Sequence, residues 1–543
     1  MKRARGISDA STRWAGLLCL ASVALPGCSD AGNGEGIESS PASIKRNLIL
    51  IAVDTLRADH LGCYGSDIPT PHIDGLAAAG ARFSAARAHI PLTGPSHASL
   101  FTSSLPSDHG CTVNSQSFPE ENHTLAEILS EQGWATAAFV SLGVLSDRFG
   151  FAQGFDTFRG TFIHRWWKSS EEVNARLTKW LRGDGRGNPL FLFVHYSDPH
   201  SPYAPPSRDY PMIEVRRGEE ILARVPADSR NHEIAVEVTS PLENFELVLP
   251  EGVSSSDVGC GRVRTDDRGV TVEFAEQDEF LQSNRGAPGF KNLPSAFRLI
   301  NLDKTTKDVT LQVTMREQLT PESLVARYRE EVAYVDSQIG LAIEALRVAG
   351  LWENSVVVFT ADHGEGLGEH NLVGHVDQLY DSLLRVPLIV VAPGLVQPGT
   401  VIEASAGHVD VLPTVLDLLG VSVTDRFRGV SLMPWLEGTG PTNGPPVLGE
   451  THKPEAKSNQ RSIVQGEFKY ILHQADGSEE LYNLTQDPRE EHDLAAEMPE
   501  KVTLLGKLLL SEFERDFGPG VSGEDQDLSE EDKVNLKGIG YAR

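Results

Sequence analysis

Four stretches of the chain are unbroken apolar runs that stop abruptly at polar residues: "NLILIAVDTLRAD" from Asn47, "PLFLFVHYSDPH" over 189–200, "NSVVVFTADHGEG" over 354–366 and "VPLIVVAPG" over 386–394. A strand with one wet face alternates between apolar and polar residues, whereas a strand covered on both faces does not, so these read as interior strands of a mostly parallel sheet. In "HTLAEILSEQG" and "LVARYREEVAYVDSQIGLAIEALRVAG" the apolar residues instead recur at three and four, the period of helices laid on such a sheet. Strand and helix alternate, which predicts an α/β fold with helices on both faces. Sheets of this kind receive ligands beyond the carboxyl ends of their strands. There the polar residues collect: Asp54, then His195 to His200, then Asp362 with His363.

The rhythm changes from about 212 to 316, where "HEIAVEVTS", "NFELVLPEG", "GVTVEFAE", "FRLINLD" and "DVTLQVTMR" alternate in period two between Asn, Gly, Pro and Asp turns. This predicts a β-sandwich-like domain inserted between two halves of the α/β domain, 46–211 and 317–440; the alternative is an extension of the main sheet. A small C-terminal antiparallel subdomain over 441–520 is expected from "RSIVQGEFKYILH" and "EELYNLTQDP", followed by a loosely ordered acidic tail, 521–543.

Lys2, Arg3, Arg5 and Arg13 precede "WAGLLCLASVAL", an apolar run well short of the roughly 20 residues that span a bilayer, so residues 1–27 read as an export signal. It ends in "LPGC", which resembles the lipobox of bacterial lipoproteins. That resemblance implies a lipid anchor on Cys28, a periplasmic or cell-surface location and no other contact with membrane; ordinary signal cleavage is the alternative. Residues 28–45 are Gly/Ser-rich and read as a tether.

With 40% apolar residues the remainder is globular, and the formal charge of -28 excludes a nucleic-acid surface. An anionic substrate must therefore be drawn in by a metal or a local group of cations. Outside the leader, Cys63, Cys111 and Cys260 are scattered and allow at most one disulfide. Nothing in the sequence bears on oligomeric state.

Carboxylates and imidazole converging from separate strand ends suit a divalent cation. The blocks "LIAVDTLRADHLGCYGSDIPTPHIDGLAAAGARFSAARA", "PLTGPSHASLFTSSLPSDHG", "VHYSDPHSPYAPP", "TADHGEGLGEHNLVGH", "LRVPLIVVAPG" and "GHVDVLPTVLDLLG" resemble, in order and spacing, those of the sulfatase family of the alkaline phosphatase superfamily. The resemblance covers 46–211 and 322 to about 490. It implies that Asp54, Asp362 and His363 are metal ligands, that Thr93 is the nucleophile, and that His200 sits near the anionic group or leaving oxygen.

The departures from the family pattern direct the chemistry. Where sulfatases carry a C/S-x-P-x-R box whose first residue is oxidised to formylglycine, this chain has Thr93-Gly94-Pro95-Ser96-His97. The methyl of threonine would turn that oxidation into ketone formation, so Thr93 acts unmodified or not at all. His97, in place of arginine, holds the anion or caps a helix beginning near Ala98. Thr55 stands where many sulfatases have a second acidic ligand, and "AAFVSLGVLS" (137–146) lacks the usual lysine and histidine. "DHGEGLGEHNLVGH" also resembles the metal-binding block of lipid A phosphoethanolamine transferases, which use a threonine nucleophile; this implies that His375 lies near the substrate phosphate.

An unmodified hydroxyl activated by a metal is a competent nucleophile toward phosphorus, whereas a sulfothreonine lacks the second hydroxyl through which a formylglycine hydrate expels sulfate. The expectation is a metal-dependent hydrolase that prefers phosphate to sulfate esters. One ion, Zn²⁺ or Mn²⁺ ahead of Ca²⁺ or Mg²⁺, is held by Asp54, Thr93, Asp362 and His363, while His200 or His375 protonates the leaving oxygen. The alternatives are a sulfatase proper, a transferase, or a non-catalytic surface lipoprotein that binds glycan or protein through the insert. Ser96 and Ser99 are competing hydroxyls, His370, His408 and Asp410 read as packing or turn residues, and Arg57 and Arg385 as either anion contacts or ion-pair partners.

Overall fold

The computed structural model describes residues 45–533 apart from 163–165, 184–188, 202, 207–209, 211, 453–458, 516, 518–519, 530–531 and the links between strands within 227–319, a stretch whose strands are described by their backbone. The segments expected to be an export signal and tether, residues 1–44 with Cys28, and the side chain of Cys260 lie outside the described residues.

An eight-stranded sheet organises the chain in the order Thr400–Gly407, Ala81–Arg87, Leu388–Val391, Ser355–Ala361, Asn47–Val53, Leu190–Tyr196, Ala135–Phe139, Thr157–Arg159. The three central strands are buried at every position, which is why they read as unbroken apolar runs. Register then positions the chemistry. Val53 pairs in parallel with both Ala361 and Tyr196, so Asp54, Asp362 and Ser197 leave the sheet at one level.

Leu388–Val391, foreseen as one more strand of a mostly parallel sheet, runs antiparallel to both its neighbours. The connection explains the reversal: only the short segment 362–387, with a one-turn helix Asp381–Leu384, links it to Ser355–Ala361. A parallel return needs a full crossover helix. Helices Ser170–Leu181 and Pro321–Val348 pack on the sheet, and the helix Thr93–Thr102 is buried at all of its residues.

The region inserted after residue 211 holds two antiparallel sheets, of three and five strands, and none of their strands pairs with the central sheet. Three strands beyond the five expected are present: Met212–Arg217, Glu220–Pro226 and Val258–Thr265. At the base of the insert, Arg327 Nη1 donates to Tyr203 O (3.3 Å) and Ala204 N donates to Glu331 Oε1 (2.9 Å).

The C-terminal sheet runs Val447–Glu450, Gln460–Gln465, Phe468–His473, Glu479–Asn483, all antiparallel, and is covered by the helix Pro499–Phe513 through Tyr470, Leu481, Leu505 and Leu509. Four buried charged groups join it to the α/β domain. Arg87 makes two bonds to Asp381 (2.9 and 2.7 Å), and Lys469 Nζ lies 3.0 Å from Asp381 Oδ1 and 2.7 Å from Glu490 Oε1. The acidic tail was expected to be loose; over its described residues it is tied along 110–117, with Gly523 N bonding Gly110 O, Ser117 N bonding Glu524 O and Arg148 pairing with Asp532. Backbone pairing and one ion pair outweigh the tail's like-charge composition. Cys63 and Cys111 are free thiols.

Candidate active site

The site forms where the strand ends meet the helix Thr93–Thr102. Asp54 N donates to Tyr196 O at 2.8 Å, and the chain then turns through Thr55 at φ +56°, a left-handed conformation unusual for a β-branched residue. That turn aims Thr55 N at Asp362 Oδ1 (3.1 Å), while the Thr55 hydroxyl donates to Asp54 O (2.7 Å) and so is turned to backbone. Tyr328 OH fixes the turn from outside by donating to Thr55 O. Val376, next to His375, has φ +122°, and such strain collects around functional groups.

Asp362 is fully dedicated to this corner. Its Oδ1 accepts the N–H groups of Thr55 and His363, whereas its buried Oδ2 makes no hydrogen bond and lies 3.6 Å from His363 Nε2 and 3.8 Å from His97 Nδ1. Gly364 is required beside His363, since a Cβ there would sit 2.1 Å from Ser382 O.

The helix begins at Thr93 rather than near Ala98, because Pro95 and the small residues around it favour a first turn there, so His97 lies one turn inside and caps nothing. Thr93 Oγ1 donates to Asp54 Oδ2 at 3.2 Å. The competing hydroxyls are turned elsewhere, Ser96 Oγ to Asp362 O (2.6 Å) and Ser99 Oγ to His109 Nε2 (3.1 Å).

Five imidazoles surround this corner, each anchored through Nδ1: His97 to Thr93 O (2.8 Å), His195 to Ser141 Oγ (2.8 Å), His200 to Ser201 O (2.6 Å), His363 to Gly364 O (2.9 Å) and His375 to Glu365 Oε1 (3.1 Å). Histidines that bind metals or protons are commonly oriented in this way through the other ring nitrogen. Burial lowers all five, His200, His363 and His375 to about 3, so they are neutral near pH 7. Burial raises the carboxyls of Asp362 and Glu365.

Two of these residues had no role assigned from the sequence. His195, whose Nε2 lies 3.8 Å from Asp54 Oδ2, is the one imidazole in an apolar strand, and its place at the polar end of that strand was its sequence signal. Glu365 is fully buried between His375 and the Tyr203 hydroxyl (3.0 Å).

The donor set fits a divalent cation. Ligand atoms of Asp54, Asp362 and His363 lie within 4.8 Å of one another, as do those of His97, His195 and Asp362. Ligands at about 2.1 Å in a tetrahedron sit about 3.4 Å apart, close to the measured 3.6 Å between Asp362 Oδ2 and His363 Nε2. The buried oxygen and nitrogen with no hydrogen bond are the atoms an ion would satisfy.

The sequence profile of the family described as "Sulfatase" matches residues 46–421, the stretch that supplies every one of these groups. The chain belongs to the sulfatase family. A second profile, "N-sulphoglucosamine sulphohydrolase, C-terminal", matches residues 368–512. As a member of the sulfatase family the protein is an ester hydrolase with the family's α/β fold.

An N-acetylglucosamine-6-O-sulfatase of Bacteroides thetaiotaomicron is 25% identical over 96% of this chain and 93% of its own. Arylsulfatase K of Xenopus laevis is 31% identical over 41% of this chain and 43% of its own. Among solved structures, one bound to its substrate D-glucosamine-2-N,6-O-disulfate superposes with a TM-score of 0.59 at 22% identity, covering 87% of this chain and 99% of that one. The phosphonate monoester hydrolase of Agrobacterium radiobacter superposes with a TM-score of 0.57 at 20% identity over 86% and 95%. At these identities the two structures speak to fold.

The remaining candidates of this sulfatase-family chain resolve into supports. Arg57 is paired with Asp59 and Glu369, both at 2.7 Å, and Arg385 donates to Ser84 O. Asp410 accepts Gly407 N and Val430 N, His408 contacts Ser96 Oγ (3.2 Å), and His370 bonds Arg489 O while stacking on Tyr380.

Proposed function

We propose that the protein is a metal-dependent phosphoesterase that also accepts sulfate esters less readily, with Thr93 as an unmodified nucleophile. The observation that carries this reading is the Thr93 hydroxyl 3.2 Å from Asp54 Oδ2, beside Asp362 and His363, at the position where the family has an oxidisable residue. Asp54, Thr93, Asp362 and His363 would hold a Zn²⁺ or Mn²⁺ ion, which when bound lowers the hydroxyl pKa and neutralises charge on the substrate oxygens.

Thr93 Oγ1 gives its proton to Asp54 Oδ2 and forms the bond to phosphorus as the ester P–O bond breaks on the opposite side. The departing alkoxide takes a proton from Nε2 of His375, and the protonated Glu365 refills the ring at Nδ1, so the neutral pair delivers one proton and ends as imidazole and carboxylate. His200, with its ring 5.2 Å from that of His375, orients the leaving group. Water then attacks the phosphothreonine and gives a proton to His375 Nε2 while His375 Nδ1 returns its own to the Glu365 carboxylate; P–Oγ1 breaks, and the Thr93 oxygen recovers the proton from Asp54, so both pairs are reset.

A second reading, sulfate ester hydrolysis, is favoured by the long relative named as an N-acetylglucosamine-6-O-sulfatase. Side-by-side turnover of aryl sulfate, phosphate monoester and phosphodiester, with mass spectrometry of the Thr93 peptide, tests the proposal. Phosphoryl on Thr93 is expected; turnover of sulfate alone, or an adduct elsewhere, overturns it. We further propose export with a lipid on Cys28, from the basic and apolar leader and "LPGC"; the absence of fatty-acid labelling in the expressing cell, or labelling that survives Cys28→Ala, would count against it.

A further inference from the structure

Two of the five imidazoles have no part in that reaction. His97 and His195 are fully buried, their rings 4.9 Å apart at 76°, and neither Nε2 makes a hydrogen bond. Nδ1 of His195 is held by Ser141 Oγ, and Nδ1 of His97 is held by Thr93 O while lying 3.8 Å from Asp362 Oδ2. A ligand atom from each lies within 4.8 Å of one on Asp362, whose Oδ2 also makes no hydrogen bond. Buried polar atoms without a hydrogen bond are unfavourable unless something satisfies them, and two imidazole nitrogens with one carboxylate oxygen are ligands for a borderline cation.

We propose that His97, His195 and Asp362 form a second divalent-cation site, with Asp362 shared between it and the site of Asp54, Asp362 and His363, so that the loaded protein carries two ions of the Zn²⁺ or Mn²⁺ class. The inference rests on the metal-dependent reading above and departs from the single ion expected from the sequence. It also gives a reason for one departure from the family box: an ion bound by the imidazole at 97 would supply positive charge where the box has arginine.

The test uses the full-length protein, stripped with chelator, reloaded with Zn²⁺, desalted, and analysed for metal per chain by elemental analysis and native mass spectrometry. Two equivalents are expected in the wild type and one in His195→Ala, with the same loss in His97→Ala; circular dichroism establishes that each variant is folded. Mn²⁺-loaded wild type should give the electron paramagnetic resonance of a coupled pair. One equivalent in the wild type, unchanged in His195→Ala, or an uncoupled spectrum at every loading, overturns the second site and leaves the first standing. No bound metal at all overturns the metal-dependent reading itself. Should neither variant fold, the wild-type stoichiometry alone separates one ion from two.

Discussion

Replacing Lys469 by methionine removes the one cation that Asp381 and Glu490 share, while the new side chain keeps most of the apolar stem. Lys469 is fully buried, so water cannot replace it. Arg87 stays paired with Asp381, but Glu490 is left with the backbone N–H of Asp381 (2.6 Å) as its remaining partner in the network. Breaking a buried pair from one side costs about 3–5 kcal/mol, much of it the penalty of the stranded charge. The double variant Lys469→Met/Glu490→Gln removes that charge and should recover at least half of the loss.

The pH dependence has a defined sign. Burial raises Glu490, with Lys469 countering it, whereas at Asp381 burial is outweighed by Arg87 and Lys469, which hold its carboxyl well below the usual range. A raised carboxyl is bound more tightly to its proton in the folded state, and without Lys469 it rises further. The cost of the single variant should therefore be largest near pH 8 and shrink toward about pH 5, as Glu490 becomes neutral. Urea unfolding of both variants across that range measures it. A cost below about 1 kcal/mol near pH 8, one that grows on acidification, or no recovery in the double variant refutes the stranded-charge reasoning.

Three other changes probe the site. Thr93→Ala should lower kcat by roughly 10³-fold or more and abolish the covalent adduct, checked by steady-state rates and mass spectrometry. Glu365→Gln should lower kcat/KM by about 10- to 100-fold; because burial raises Glu365, its proton is lost as pH rises, so the variant should also lose the alkaline limb of the pH–rate profile. Gly364→Ala forces a Cβ to 2.1 Å from Ser382 O, with backbone on both sides, and should cost about 1–3 kcal/mol in unfolding experiments while reducing bound metal, since the Gly364 carbonyl orients His363.

Interior strands were legible because burial on both faces writes itself as an uninterrupted apolar run, and their polar ends located Asp54, Asp362 and His363. Ala81–Arg87, second from one edge, and the edge strand Thr157–Arg159 were not, being partly exposed and mixed in composition. The direction of Leu388–Val391 was equally hidden, since a strand's apolar pattern is the same whichever way it runs. His195 hid inside a strand, where one imidazole among aromatic neighbours reads as packing. Glu365 hid for another reason: its partner His375 lies ten residues on, across a loop whose turns include left-handed His370 and Asn371, a fold that no periodicity announces.

Cross-links at the foot of the inserted β region close it into a loop whose two ends meet regardless of what lies between. Tyr203 and Ala204 on the outgoing chain are fastened to Arg327 and Glu331 on the returning helix, and between those two residues Tyr328 braces Thr55. The roughly hundred-residue excursion is thus fastened where it leaves and where it rejoins the α/β domain, next to the residue that holds the Thr55 turn. Evolution could lengthen, prune or exchange that excursion to suit new substrates while the chemistry beneath stayed in tune.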